Sequence, residues 1–444
     1  MAQRMKQPPI VVGSGPAGLF CALALARAGL PPIILERGKD VDRRQTDVEL
    51  FWKTGVLQTN SNVQFGEGGA GTFSDGKLTT GVHGPYVRRV LEEFVNAGAP
   101  SEILYRAKPH IGTDHLREVV KNLRRIIQEH GGEFRFEHQF TGFSTENGRL
   151  CSVRAVRAQT PEHAYSEAAS AVVLAIGHSA RDTFSMLLEN HIRMEQKNFS
   201  VGVRIEHPQE KIDQSQYGKF AGHPALGPAD YKLSAHLADG RGVYTFCMCP
   251  GGRVVAAASE ENHLVTNGMS RFARDERNTN SALLVSVDAK DFGGDHPLAG
   301  VQFQKNLERR AFALGGGGFI APAQLAGDFL LGRESCGVGE VGPSYRPGVR
   351  WTDLRGLFSG EITRALQQAI LLFGQKIEGF SSYDAVLTAV ESRSSSPVRI
   401  WRGASGASSA AGLYPCGVGA GYAGGIVSAA VDGMKCAQTI LTSN

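Results

Sequence analysis

Apolar positions near the start of the chain cluster into two short runs, residues 10–12 and 32–35, separated by a glycine turn and an Ala/Leu-rich stretch. That order predicts strand, turn, helix, strand. Further along, Leu116, Val119, Val120, Leu123, Ile126 and Ile127 recur at three- and four-residue spacing, predicting a helix over 113–130. Asp114 sits in its first turn, and Gly131-Gly132 marks its stop. Residues 134–143 and 150–159 read as strands, and 171–176 as a buried parallel strand ending in Gly177-His178-Ser179.

From about Phe199 the texture changes. Alternating segments at 200–206, 242–249 and 254–259 are separated by polar loops, predicting a second domain built on a more exposed, mixed sheet. A helical pattern returns at 361–373. Residues 412–417 form a short strand that breaks into a glycine turn and then an Ala-rich helix over 426–441. Strand, glycine turn and helix at both ends predict that the C-terminal segment folds back onto the N-terminal domain. The expected organisation is a nucleotide-binding domain over 8–198, a substrate domain over 199–394 and a return over 395–444. The fold class is α/β, a doubly wound parallel sheet with a β-rich, mixed-sheet second domain.

The first turn carries chemistry. Gly13, Gly15 and Gly18 stand in Gly-x-Gly-x-x-Gly spacing with Ser14, Pro16 and Ala17 between them. Gly13 allows the tight turn, Gly15 lets backbone approach a pyrophosphate, and Gly18 allows close helix–strand packing. The helix N-terminus adds amide donors and a positive dipole end. Glu36, followed by Arg37, stands where an acid accepts hydrogen bonds from an adenosine ribose. A 2′-phosphate would be repelled there, so FAD or NAD fits and NADP does not. A second glycine loop follows within residues 62–78, containing Gly68, Gly69, Ala70, Gly71 and Thr72.

Composition narrows the partners. A net charge of +4 with scattered Lys and Arg excludes a nucleic-acid surface. Seven dispersed cysteines without zinc spacing point to a reducing cytoplasm and to no metal site. Arg4 and Lys6 before an apolar stretch mimic a signal peptide, but glycines break that stretch. No apolar run approaches the roughly 18 residues needed to span a bilayer.

Taken with residues 64–78, Ala175–Asp182 as a segment, Phe246-Cys247-Met248-Cys249-Pro250-Gly251-Gly252, residues 395–400 and residues 419–425, the chain resembles a family of FAD-dependent dehydrogenases. Their FAD domain is like that of glutathione reductase, and their substrate domain is similar to those of p-hydroxybenzoate hydroxylase and geranylgeranyl reductase. The resemblance implies a Rossmann-like FAD domain, with FAD rather than NAD in the N-terminal clamp. It places Gly68–Thr72 against the pyrophosphate or flavin edge, Phe140 beside the adenine and Gly177 near the adenosine. It also brings Gly417, Val418, Gly419, Gly421 and Ala423 towards the flavin.

Fewer residues suggest catalysis. Cys247 and Cys249, two apart on a predicted strand, point to one face, and are expected to line a pocket, with a thiol relay as the alternative. Lys77 and Asp75 suit either a site beside the flavin ring or a structural ion pair, the latter being the expectation. Arg399 moves towards the active site only through the resemblance. His178 reads as a loop residue. The glycines at 315–318 lack a preceding apolar strand, so a dedicated NAD(P)H domain is not expected. NAD(P)H would visit transiently, or an electron-transfer partner would serve. The leading function is an FAD-dependent dehydrogenase or reductase acting on a small-molecule substrate; a flavin monooxygenase and a flavin-bound regulatory protein are the alternatives.

Related proteins carry an acid where this chain has Val418, and valine cannot accept a ribityl hydrogen bond. Val418→Glu is therefore expected to raise the flavin content of purified protein; unchanged occupancy refutes the idea.

Overall fold

A computed structural model describes residues 7–443 of the 444-residue chain. The strands Ile10–Val12, Ile33–Glu36 and Val172–Leu174 are buried at every position. They carry apolar side chains on both faces, so they fit only a sheet covered on both sides. With Leu413–Pro415 and Glu133–Phe136 at its edges they form a five-stranded parallel sheet. Alternation divides the side chains. Val11, Ile34 and Val173 join a core with the helices Pro16–Arg27, Pro85–Asn96, Gly112–Glu129 and Ile426–Thr442. Ile10, Val12, Ile33 and Leu35 face the other way, against Phe140, Val153, Phe184 and Leu187.

That second face is covered by an antiparallel sheet of His138–Glu146, Arg149–Arg157 and Thr160–Ala168. The single strand expected over 134–143 is thus two strands in different sheets. Glu137 breaks it with φ +60°, its amide donating to the Gly38 carbonyl and its carboxylate accepting from Arg43.

A helix, Val41–Thr54, occupies a largely polar stretch for which no apolar periodicity predicts one. Asp40 caps it, accepting from the Arg43 amide, and Gly55 ends it in the left-handed region. Arg44 on this helix is fully buried and donates to the carbonyls of Asn62, Val63 and Glu67 at 2.8, 2.9 and 2.6 Å. One guanidinium therefore organises the start of the second glycine loop. Glu67 follows it into the interior, accepting from the Val41 amide at 2.8 Å with Arg124 at 3.3 Å. Its other oxygen has no hydrogen-bond partner, and burial pushes its pKa up to about 7.

The second sheet has seven strands, in the order Ser234–His236, Gly242–Cys249, Asn278–Val287, Phe199–Pro208, Val386–Glu391, Ala321–Leu325 and Val349–Trp351. It is mixed, because only its last pair runs parallel. The expectation of a more exposed sheet is corrected: Phe199–Pro208 and Asn278–Val287 are buried along nearly their whole length, in a core shared with the helix Gly360–Gly374. The serine-rich stretch at 392–396 is no linker either. Ser392 donates to Glu308, Ser394 to the Ser200 carbonyl and Ser396 to the Gly419 carbonyl. The glycines at 315–318 follow the C-terminal end of the helix Ala299–Leu314, where the dipole is negative, so they cannot cradle phosphate.

The helices Pro16–Arg27 and Ile426–Thr442 touch backbone to backbone. A Cβ at Gly433 would lie 2.1 Å from the Ala17 carbonyl oxygen. Gly433→Ala is therefore expected to cost about 1–3 kcal/mol by forcing the helices apart, measured by urea unfolding. Glu67 gives a pH signature. Its folded pKa near 7 exceeds the ordinary 4.5, so its contribution is fully present below pH 4.5 and lost as pH rises through 7. Glu67→Gln is expected to gain stability relative to wild type on going from pH 5 to pH 8, by roughly 3 kcal/mol at most, read from paired melts at the two pH values.

Candidate functional site

A cavity of about 680 Å³ opens at the C-terminal ends of the parallel strands, where Val12, Glu36 and Ala175 line it. Open α/β sheets bind ligands at this end. Two helix N-termini reach the same space: Pro16 and Ala17 from one, and Gly424, Gly425 and Ile426 from the other. No side chain caps the first. At the second, the Ser428 hydroxyl accepts from the Gly424 and Gly425 amides at 3.2 and 3.0 Å.

The glycines divide by what surrounds them. Gly13 has φ +98°, and a Cβ there would meet the Ala175 carbonyl at 2.3 Å; one at Gly18 would meet the Gly13 carbonyl at 1.9 Å. Those two serve the turn and the packing. At Gly15, by contrast, the nearest atom to an added Cβ is Gly69 Cα at 3.7 Å, and at Gly424 and Gly425 nothing lies within 4 Å. These three leave space on the cavity side that the protein itself does not fill. A cradle of bare backbone between two positive helix ends suits a pyrophosphate, and the long, largely apolar cavity suits the rest of an FAD molecule. Gly13–Ala17, Gly69–Gly71 and Gly424–Ile426, as stretches, would hold it.

Glu36 and Arg37 both line the cavity. The Glu36 carboxylate accepts from the Ser14 amide and hydroxyl at 2.9 and 2.7 Å, and from the Gly38 and Gly66 amides at 2.9 and 3.0 Å. All four of its acceptor sites are engaged by the chain itself. It reaches a ribose only if one donor leaves, and the rotatable Ser14 hydroxyl is the one free to do so. Arg37 is held by Asp182 at 2.9 Å and stacks over Phe65.

Of the other sequence candidates, Ser14, Gly69, Ala70, Gly71, Phe140, Gly177 and Val418 line the cavity. Gly18, Gly68, Thr72, Gly417, Gly419, Gly421 and Ala423 stand behind its wall. A Cβ at Gly68 would meet Thr72 Oγ1 at 2.1 Å, and one at Gly419 the Gly177 carbonyl at 2.3 Å, so those glycines pack one loop on another. The C-terminal contribution comes slightly later, from Gly424, Gly425 and Ile426. Their signal was legible as two glycines just ahead of a helix.

At the far end the cavity is bounded by side chains. Asp75 accepts from Ser270 at 2.6 Å, from Arg274 at 3.0 and 2.7 Å and from Lys77 at 2.9 Å, and its paired cations hold its pKa down near 2 despite burial. Lys77 also donates to the Met248 carbonyl. Lys77 and Asp75 are thus both an ion pair and part of the lining. Arg399 is corrected: it lies on the surface, 3.7 Å from Glu195, and does not line the cavity. Arg393 does, held by Glu308, Ser179 and Ser259, and no sequence motif marked it. His178 also lines the cavity; burial and the nearby Arg393 and Arg181 push its pKa down to about 3, so it is neutral at physiological pH.

Cys247 lines the cavity and Cys249 lies behind it, wholly buried. The regular strand expected there is corrected too. The ladder to Asn278–Val287 shifts between Phe246 and Cys249, and Cys247 has φ +43°. Among the described residues no cluster of His, Cys, Asp or Glu is arranged to hold a metal, and no helix is long and apolar enough to cross a membrane.

Residues 198–394 match the family model described as FAD-dependent protein, C-terminal domain-like, and residues 9–64 that of an FAD binding domain. An uncharacterised protein of Clostridium beijerinckii is 51% identical over 441 residues, covering 99% of this chain and 81% of its own length. Among solved structures, the myxobacterial chondrochloren halogenase is similar at 14% identity and TM-score 0.43, over 99% of this chain and 76% of its own. A geranylgeranyl bacteriochlorophyll reductase-like protein of Thermoplasma acidophilum is similar at 12% identity and TM-score 0.42, over 98% and 79%. A cavity walled by bare glycine backbone, two matching family models and a relative sharing half of its residues together assign this chain to the FAD-dependent protein family.

Proposed function

We propose that this protein is an FAD-dependent oxidoreductase, a dehydrogenase or reductase, acting on a small organic molecule. One observation carries the reading: a single cavity runs from the two helix N-termini to Lys77, Phe246, Cys247 and Arg274 on the substrate side. The nucleotide end and the side-chain end therefore share one space. Bound flavin supplies hydride or electron chemistry, while the protein binds, orients and excludes water.

The chain's own residues divide this work. Gly15 and the uncapped amide end of Pro16–Arg27 would hold the pyrophosphate. The amide end of Ile426–Thr442 faces the same cavity, and its positive dipole end would favour negative charge on a flavin held there. Lys77 and Arg274, two cations on the single carboxylate of Asp75, leave one positive charge in excess to attract an electron-rich substrate. His178, kept unprotonated by burial beside Arg393 and Arg181, presents a neutral ring to the cavity rather than a charge. No second strand, glycine turn and helix unit follows residue 180 before the C-terminal return, so NAD(P)H would visit the cavity transiently or a partner protein would supply electrons. The cytoplasm is the compartment that suits seven free cysteines.

The test is an absorbance scan of purified protein, then anaerobic addition of NADH, NADPH and metabolite pools. Yellow protein bleached by one of these supports the reading; yellow protein that none bleaches points to a regulatory flavoprotein. Gly15→Ala is expected to leave the melting temperature nearly unchanged, because its Cβ meets only Gly69 Cα, at 3.7 Å. Its clash falls on the cofactor instead, weakening flavin binding by about 1–3 kcal/mol, roughly tenfold to hundredfold, measured by flavin released on dilution.

A further inference from the structure

The segment around Cys247 departs from strand geometry, with a register shift between Phe246 and Cys249. A flat strand would hold the two sulfurs apart on one face. Here the bulge turns the chain back, so that Cys249 Sγ donates to the Cys247 carbonyl at 3.2 Å, which brings the buried thiol back towards the residue that lines the cavity. A non-glycine residue at φ +43° beside a ligand cavity is strain that the surroundings must maintain. Arg204 maintains it. Fully buried and paired with Glu391 at 3.0 Å, it donates to the same Cys247 carbonyl at 2.9 Å.

The charges facing this pair come from every element packed on it. Arg204 and Lys77 favour a thiolate, while Glu391 and Asp75 oppose it and Arg274 neutralises Asp75. The neighbouring Cys249 thiol, then Arg204 and Lys77, lower the pKa of Cys247. The proximity of Cys247 and burial push Cys249 up. The sulfur that lines the cavity is thus pushed towards the thiolate, the nucleophilic form, and its buried neighbour towards the protonated thiol.

We propose that Cys247 and Cys249 are a redox-active pair, interconverting between dithiol and disulfide and exchanging two electrons with the bound flavin. The exchange rests on the FAD reading; the pair itself does not. On oxidation one S–S bond forms between the two Sγ atoms and the Cys249 S–H bond breaks. The two electrons and that one proton pass to the oxidised isoalloxazine, which they convert to the anionic reduced form. The reverse reaction regenerates the thiolate and thiol.

The test uses the protein as purified. Trypsin cuts after Arg241 and Arg253, releasing residues 242–253 with both cysteines and no other. Treatment with diamide, whose N=N bond takes up the electrons and protons, is expected to lower this peptide by two hydrogen masses, restored by dithiothreitol. Iodoacetamide at neutral pH is expected to modify Cys247 about tenfold faster than the exposed Cys336. Anaerobic dithionite titration of the diamide-treated holoprotein is expected to consume two equivalents per flavin, against one in Cys247→Ser. An unchanged peptide mass in yellow protein overturns the pair while leaving the FAD reading intact. Colourless protein that still forms the disulfide overturns the exchange with flavin. The wild-type peptide mass decides the first point even if the serine variant fails to fold.

Discussion

The close contact between the first and last helices is the constraint on which the site depends. Gly433 lies against the Ala17 carbonyl, so at that point the two helices meet without a side chain between them, and Gly417, ahead of the last helix, faces the Ala17 side chain. Their N-termini then open into one cavity. Each end carries about half an elementary positive charge, and two such ends repel when nothing lies between them. The apolar surface that the helices bury against Val11, Ile34 and Val173 offsets this repulsion. A negatively charged ligand reverses its sign, which is why the pair of helix ends and a pyrophosphate suit each other.

A second constraint fixes the other wall. Glu308, buried on the helix Ala299–Leu314, takes both Arg181 and Arg393, with each guanidinium bound to both carboxylate oxygens. Arg181 begins a helix of the parallel-sheet side, and Arg393 follows the strand Val386–Glu391 of the seven-stranded sheet. Asp75 does the same lower down, joining the glycine loop to Ser270 and Arg274. Two cations on a buried carboxylate hold it ionised, well below the usual range in the case of Glu308. Such pairs add little net stability over an apolar contact but are costly to break. Their effect is register: they fix how far the two sheets stand apart, and hence the width of the cavity between them.

What was legible in the sequence follows from this division. The parallel strands, their helices and the glycine spacing of Gly13, Gly15 and Gly18 could be read, because each is a local pattern imposed by backbone geometry. The helix Val41–Thr54 could not: its buried residues include Arg44 and Asp47, which no hydrophobic count places inside. The break at Glu137 and the bulge at Cys247 were hidden for a similar reason. Both are set by partners far along the chain, Arg43 in one case and Arg204 in the other. Arg399 and Arg393 lie six residues apart in one serine-rich stretch, and only the tertiary position of Glu308 decides which faces inward.

The two ends of the cavity therefore differ in kind. The nucleotide end is made mostly of backbone, which any sequence with the right glycines can supply, and it commits the protein to a class of cofactor without choosing a reaction. The substrate end is made of side chains drawn from distant segments: Lys77, His178, Cys247, Arg274 and Arg393. Their protonation narrows the chemistry. His178 is neutral, Asp75 is ionised between two cations, and burial pushes Glu391 upward while Arg204 holds it in place. Neither His178 nor Asp75 is available to donate a proton at neutral pH. What remains at this wall is Glu391, a lining carboxyl that burial makes less acidic, beside Cys247 and Cys249, whose acidities the fold drives apart.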